Sequence, residues 1–362
     1  MAKGYQSYRG RQPAGLRLLI VLLVLILVVA CGFLFAQRYI VYTEDGGMYL
    51  DLPFMRLDLP TPPPPAEPDP PPQAEPELPD VELVIDEPEP PPEEPPEPVD
   101  VYGERRLLEL PALPADAAAL QGMLSAAGAN GFLFQVRDDT GLVKYTSTAA
   151  WPKAVAKDAA DAGTLSALCA AGDAVAAARF NCLHDSYYAF DNMKDAAICQ
   201  KNGYVWYDSK SYHWIDPEKE LTRSYIISLA VECAQLGFDE LVLEELCYPT
   251  LGKLQKIDYS GNTMGKAEAL ALLLTQLREA LEPYGTRLSL LLPEALLQSG
   301  GDAESGQDLA VLLPLVDAVY VETADPAGVQ ALLTAAAGEG SVPELVPMLA
   351  AAGEGNWCVA GG

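Results

Sequence analysis

GFDELVLEELCYPT, residues 237–250, decides how the chain is read. Gly237 reads as the end of a helix, and Leu241, Val242 and Leu243 follow as a short apolar run bounded by acids. A run this short suits a buried strand better than a helix. Glu244 and Glu245 stand at its exit. Alternation puts Leu241 and Leu243 on the face that meets helices. Val242 and Glu244 then share the other face, and Glu245 turns away. The two carboxylates are either part of an active site or a solvated strand end.

Seven further apolar runs share this character: residues 106–111, 131–137, 174–181, 287–292, 317–322, 344–349 and 356–361. With 240–246 they make eight strands, separated mostly by longer stretches of helical pattern. One helix is expected to start with Asp216 as its cap and Pro217 at its first position, and to close at Gly237. Another spans roughly 263–284, rich in Ala and Leu. Eight strands alternating with helices over about 260 residues predict an α/β fold, a (β/α)8 barrel. A doubly wound open sheet is the alternative, but no glycine-rich phosphate loop opens a helix. The sequence stops at Gly362, directly after the eighth strand. The helix that should cover this strand is missing, so the barrel is expected either to be capped by an N-terminal element or to be open there.

The domain plan divides the chain at 17, 38 and 100. Residues 1–17 form a basic tail with Lys3, Arg9, Arg11 and Arg17 and no acid. Residues 18–36 carry no charge, and as a helix would span roughly 28 Å, one hydrocarbon core. They predict a transmembrane anchor over 18–38, with the N-terminus in the cytoplasm and the rest outside the cell membrane. A lipoprotein anchored at Cys31 is the rival reading. Residues 39–100 are an acidic, proline-rich extracellular linker; proline fills about 40% of 53–100. Such a stretch favours extended polyproline II and reaches on the order of 140 Å. Residues 101–362 are the barrel.

Net charge is −28, which argues against nucleic acid as a partner, because phosphate binding needs a basic face. The two histidines, His184 and His213, are far apart, and no zinc-type spacing appears. Seven cysteines are scattered without a CxxC pair and read as free, mostly buried thiols. No cofactor and no metal are expected.

In a barrel the functional face is built from the C-terminal strand ends. Alternation there gathers Gln135, Arg137, Arg179, Asn181 and Glu244. A carboxylate between two guanidiniums is held ionised, which suits a nucleophile or base. It suits a buried ion-pair plug equally well. The loop 203–217 holds Tyr204, Trp206, Tyr207, Tyr212 and Trp214, with Tyr187, Tyr188 and Tyr248 at nearby strand exits. These rings read either as stacking platforms for sugars or as the loop's own core.

Four segments, in order over residues 105–325, resemble a family of bacterial glycoside hydrolase barrels. GANGFLFQVRDDTGLVKY (128–145) is similar to its strand leading into Lys-Asp-Asp-Ser-Gly. ARFNCLHD (178–185) resembles its Ala-Arg-apolar-Phe-Lys-Asp strand, and VWYDSKSYHWIDP (205–217) its Trp…Trp-Val/Leu-Asp-Pro loop. LGFDELVLEELCYP (236–249) resembles its Gly-Phe-Asp-Glu strand ending Phe-Asp-Tyr-Val-Arg-Phe-Pro. The resemblance implies a TIM barrel at the cell surface with carbohydrate as its substrate class. It places Glu244 at the family's catalytic or substrate-contact position. Arg137, Asp139, Arg179, Asp185, Trp206, Trp214, Asp216 and Tyr248 are then the implied substrate contacts. This chain departs from the pattern at Glu244, Glu245 and Cys247, which replace Asp, Tyr and Arg. Gln135 stands where an acid is expected, and Leu291 where the family tends to carry Asp. Glycosidases need two carboxyl groups. The second could be Asp139, Asp185, Glu294 or Glu322, and the sequence does not choose among them; Glu322 is carried forward as the catalytic candidate, since an inward acid on the sixth strand could replace a lost partner. Two functions stay open: a barrel that cleaves or binds envelope or extracellular polysaccharide, and a degenerate barrel that serves as a binding or scaffolding module.

Overall fold

The structure, a computed structural model, describes residues 40–42, 48–52, 55–58 and 103–361. The chain divides into two units, Met1–Pro92 and Glu93–Gly362. In the first, Ile40–Tyr42, Met48–Leu52 and Met55–Asp58 form a three-stranded antiparallel sheet. These strands fall within 39–100, which was expected to be linker throughout. They precede the proline run. The basic tail, the apolar anchor with Cys31 and the proline run itself lie outside the described residues. Among the described residues no helix is long and apolar enough to cross a membrane.

The second unit is a closed barrel of eight parallel strands. They are β1 (Arg106–Leu110), β2 (Gly131–Arg137), β3 (Val175–Asn181), β4 (Glu240–Glu244), β5 (Arg287–Leu291), β6 (Ala318–Glu322), β7 (Glu344–Leu349) and β8 (Trp357–Ala360). Each pairs with the next, and β8 pairs with β1 from Trp357–Arg106 to Ala360–Glu109. All eight expected strands are present. Alternation sorts their side chains into two layers. Leu107, Leu133, Ala177, Val242, Ala318, Tyr320, Val346 and Cys358 pack inside the barrel. Leu241, Leu243 and their equivalents pack outward into the larger core beneath the helices.

The covering helices include α1 (Ala117–Ala127), α2 (Ala162–Cys169), α3 (Ser186–Asp191), α4 (Glu220–Gln235), α5 (Lys266–Leu281), α6 (Glu294–Ser299) and α7 (Pro326–Ala337). On α4, Tyr225, Ile226, Leu229, Ala230 and Cys233 are buried, the stripe a 3.6-residue period lays on one face. Its cap is Lys219, so the helix starts later than the Asp216–Pro217 reading. Asp216 instead closes the turn before it, its Oδ1 accepting the Glu218 N–H at 3.1 Å. The link from β7 to β8 contains no helix, and none follows β8 among the described residues. Strand pairing closes the barrel on that side without a covering helix among the described residues.

The floor of the barrel is ionic. Arg105, just before β1, donates from Nε to Glu240 Oε2 at 2.9 Å and also pairs with Glu344. Arg287 Nη2 reaches the same Glu344 oxygen at 2.8 Å. The hydroxyls of Ser289 and Tyr320 donate to Glu240. Five strands or strand entries are therefore tied at the buried Glu240 and the half-buried Glu344.

Candidate functional site

At the opposite, C-terminal end, β3 and β4 run in register, with Arg179 beside Val242 and Asn181 beside Glu244. The inward side chains of the first four strands form one chain of contacts. Arg179 donates from both Nε and Nη2 to Glu244 Oε2, each at 2.7 Å. Its Nη1 binds Glu109 Oε1 at 2.7 Å. Gln135 Nε2 donates to Glu244 Oε1 at 3.2 Å. Burial works against the Arg179 charge, but the Glu244 and Glu109 carboxylates outweigh it and push the guanidinium above its usual range. Both oxygens of Glu244 are thus fixed by donors, and the side chain is held in one orientation.

Two hollows flank this chain. One, of about 580 Å3, is lined by Arg179, Glu244, Glu245, Cys247, Leu291 and Glu322, among others. The other, of about 430 Å3, contains Glu109, Phe134, Gln135, Lys144 and Asp158. Glu244 and Glu322 therefore face one cleft. Glu322 is exposed, and its carboxylate has no hydrogen-bond or ion-pair partner among the described residues. Cys247 sits at the rim with its thiol 3.5 Å from Glu245 Oε2.

The other expected site residues are placed differently. Arg137 was expected to point inward beside Glu244. A register shift between Gln135 and Arg137 turns it outward, opposite Phe180, and its guanidinium carbon lies 5.4 Å from that ring. There Arg137 Nη2 pairs with Asp185 Oδ2 at 2.7 Å, and both side chains are fully buried. Burial opposes the Arg137 charge, yet Asp185 outweighs it and holds the guanidinium above its usual range. The second Asp185 oxygen caps α3 through the Tyr188 N–H at 2.7 Å. This pair fastens α3 to the barrel and does not reach the cleft.

Trp206 and Trp214 are 1% and 5% exposed. Their indole N–H groups donate to Lys253 O at 3.1 Å and Asp208 Oδ2 at 3.3 Å. Neither offers an open face, so these two of the rings expected as a sugar platform are the core of their loop. Asp216 and Tyr248 are also buried; the phenol donates to Asp216 Oδ1 at 3.2 Å. Burial pushes the Asp216 carboxyl up, against hydrogen bonds from Asn262 and Glu218. The ring of Tyr248 lies 5.3 Å from the Lys266 ammonium. Asp139 is exposed at the rim and accepts the Tyr212 hydroxyl at 2.6 Å. That bond, followed by burial, pushes the Tyr212 phenol up to about 12. Its neighbour Asp138 accepts from the Thr140 and Leu142 N–H groups, both at 3.0 Å, and from Lys144 at 2.8 Å, which makes it a turn residue. Glu294 accepts the Thr323 hydroxyl at 3.3 Å.

Glu109 is the residue of this site that the sequence reading passed over. Alternation in RLLEL puts Leu107 and Glu109 on one face, and the same rule that found Glu244 would have found it. The floor residues Arg105, Glu240, Arg287 and Glu344 were missed likewise; Glu240 stands two residues before the inward Val242. Among the described residues no group of His, Cys, Asp and Glu could hold a metal ion.

A closed parallel barrel with carboxylates converging at its C-terminal mouth is the layout of a glycoside-hydrolase-type domain. The chain belongs to the family described as "Putative glycosyl hydrolase domain", whose model matches residues 115–321, more than half of it. No curated protein matches it in sequence. Among solved structures it is similar to a hypothetical protein from Ruminiclostridium thermocellum, at 23% identity and a TM-score of 0.40, over 48% of this chain and 90% of that one. A chitobiase from Flavobacterium johnsoniae matches at 13% identity and a TM-score of 0.45, over 68% of this chain and 38% of its own. The glycoside hydrolase domain of PelA from Pseudomonas aeruginosa matches at 15% identity and a TM-score of 0.38, over 67% and 82%. The chain spans 41% of an α-galactosidase from Thermus thermophilus that it also matches.

Proposed function

We propose that the barrel acts on envelope or extracellular polysaccharide through the cleft shared by Glu244 and Glu322. The observation that carries this reading is the fixed carboxylate. Arg179 and Gln135 hold Glu244 by both oxygens at the barrel mouth. A carboxylate held in one orientation at the mouth is placed to attack a sugar's anomeric carbon or to activate water. Glu322, unengaged on the same cleft, supplies the second carboxyl group for proton transfer to the leaving oxygen. Arg179, Glu245, Thr250 and Gln307 are further polar groups that line this cleft, and Asp139 at the rim is proposed as an outer contact.

A second reading has its own support. Leu291 and Cys247 line the cleft where the resembled family carries polar side chains. On this reading the barrel is catalytically degenerate and binds a glycan or scaffolds a partner. Glu244→Gln separates the two. Arg179 keeps Glu109 as a partner, so the variant should stay folded, with a midpoint within a few degrees of wild type. Turnover of envelope polysaccharide should fall by orders of magnitude. Undiminished turnover would remove Glu244 from catalysis, and no turnover in wild type against a panel of envelope glycans would leave the binding module.

The proposal places the barrel outside the cell membrane, single-pass, with the N-terminus cytoplasmic. The basic tail and the uncharged run 18–36 support it. Protease added to intact cells stripped of their wall should release the barrel as a soluble fragment. Full protection of the barrel would reverse the orientation.

A further inference from the structure

Beside the cleft lies a hollow of opposite charge. Its volume is about 230 Å3, and its lining includes Gln200, Trp206, Tyr207, Ser209, Lys253 and Lys256. Two segments build it. Lys201 N–H donates to Lys256 O at 3.0 Å, and Trp206 Nε1 donates to Lys253 O at 3.1 Å. Gly252 is held at φ +108, and a Cβ there would stand 3.2 Å from Asp208 Cα, so the two segments touch backbone to backbone. Residues 196–213 and 246–257 together carry four lysines, Lys201, Lys210, Lys253 and Lys256, against one acid, Asp208. That acid also lines the hollow, but it is buried and already accepts from the Trp214 indole and from the Lys210 and Tyr212 N–H groups. The four lysines are exposed, and none forms an ion pair among the described residues. Asp258 lies within electrostatic reach of Lys201, and Glu245 of Lys210, at the edges of the patch. In a chain of net charge −28, this is a local reversal of sign around a cavity. Tyr207, 56% exposed, stands at the cavity.

We propose that this hollow is an accessory subsite for an anionic unit of a glycan, a uronate carboxylate or a phosphate, whose chain continues into the mouth cleft. The lysines supply charge for the anion, and Tyr207 supplies a ring face for the sugar. Continuity comes from the backbone: Thr250 lines the cleft, and Gly252, two residues on, lines this hollow. The proposal rests on the polysaccharide reading of the cleft.

Isothermal titration tests it on the full chain, with hexagalacturonate, a glycerol-phosphate oligomer and neutral chitohexaose as probes at low salt. At least one anionic oligomer should bind, and Lys253→Gln/Lys256→Gln should weaken it tenfold or more at an unchanged thermal midpoint. Which anion binds identifies the source of the charge. The neutral oligomer should be indifferent to the double substitution. Equal binding of the anion by variant and wild type, or binding of neither anion, would overturn the subsite. Failure of the cleft reading would show elsewhere, as absent turnover and no effect of Glu244→Gln while lysine-dependent capture persists.

Discussion

At the scale of single residues, identical chemistry takes opposite roles according to which way one side chain turns. Arg137 and Arg179 are both strand-end arginines facing a carboxylate. Arg179 points into the barrel, is shared by Glu109 and Glu244, and borders a cleft. Arg137 points out, is sealed against Asp185, and serves the fold. His184 makes the contrast testable by pH. It is buried, with Nδ1 3.1 Å from the Asp139 carbonyl and its ring centroid 4.0 Å from that of Trp214. Burial lowers its pKa to about 4, which the Asp139 carbonyl only partly offsets. In the unfolded chain the imidazole titrates near 6.5. Between those values the unfolded state binds the extra proton, so stability rises with pH. The contribution is complete above about pH 6.5 and is lost as pH falls toward 4, by about 3 kcal/mol in all. Urea titrations at pH 7.0, 6.0, 5.0 and 4.5 should show this decline in wild type and a shallower one in His184→Gln. Parallel slopes for the two proteins would mean that His184 is not the group being protonated.

At the scale of elements, the sequence made the strands legible and the loops illegible. Each strand announced itself because both faces of a parallel barrel are covered, so its run is short and mostly apolar, interrupted at inward positions such as Glu109 and Gln135. Glu244 could be assigned inward because β4 is regular and its neighbours are in register with it. Arg137 could not, because a register shift after Gln135 leaves no mark in the residues themselves. One added residue flips every later side chain to the other face. The loop 203–217 failed for another reason. Composition shows that it holds five rings but not which of them point down. In the structure Trp206 and Trp214 are spent on the loop's own core, with their indole nitrogens satisfied, while Tyr204 and Tyr207 are left outside. A long loop must bury something to hold one shape, and the largest side chains go first. The helix start was misplaced by a local competition. Asp216 followed by proline is a good cap, but here its carboxylate is taken by the turn before α4 and by Tyr248 and Asn262.

At the scale of the whole molecule, the question is what keeps an eight-stranded barrel shut when no helix lies between β7 and β8 or after β8 among the described residues. Backbone pairing of β8 with β1 contributes, and the ionic floor adds a cross-brace. Arg105 enters β1 from below and grips Glu240 of β4 and Glu344 of β7 together. Burial pushes the Glu240 carboxyl up, and Arg105, Ser289 and Tyr320 pull it down. The brace is costly to break and cheap to replace. Removing one partner of a buried pair strands the other charge, typically at about 3–5 kcal/mol, whereas an apolar pair of similar volume is often tolerated. Arg105→Leu should therefore destabilise the barrel by about that amount in urea unfolding, because Glu240 loses its nearest cation. Arg105→Leu/Glu240→Leu should recover part of the loss, giving a coupling of about 1–3 kcal/mol in the double-mutant cycle. A single variant within about 1 kcal/mol of wild type, or strictly additive losses, would mean that the floor is an incidental cluster. Closure would then rest on the β8–β1 ladder and the apolar layer of Leu107, Val346 and Cys358 above it.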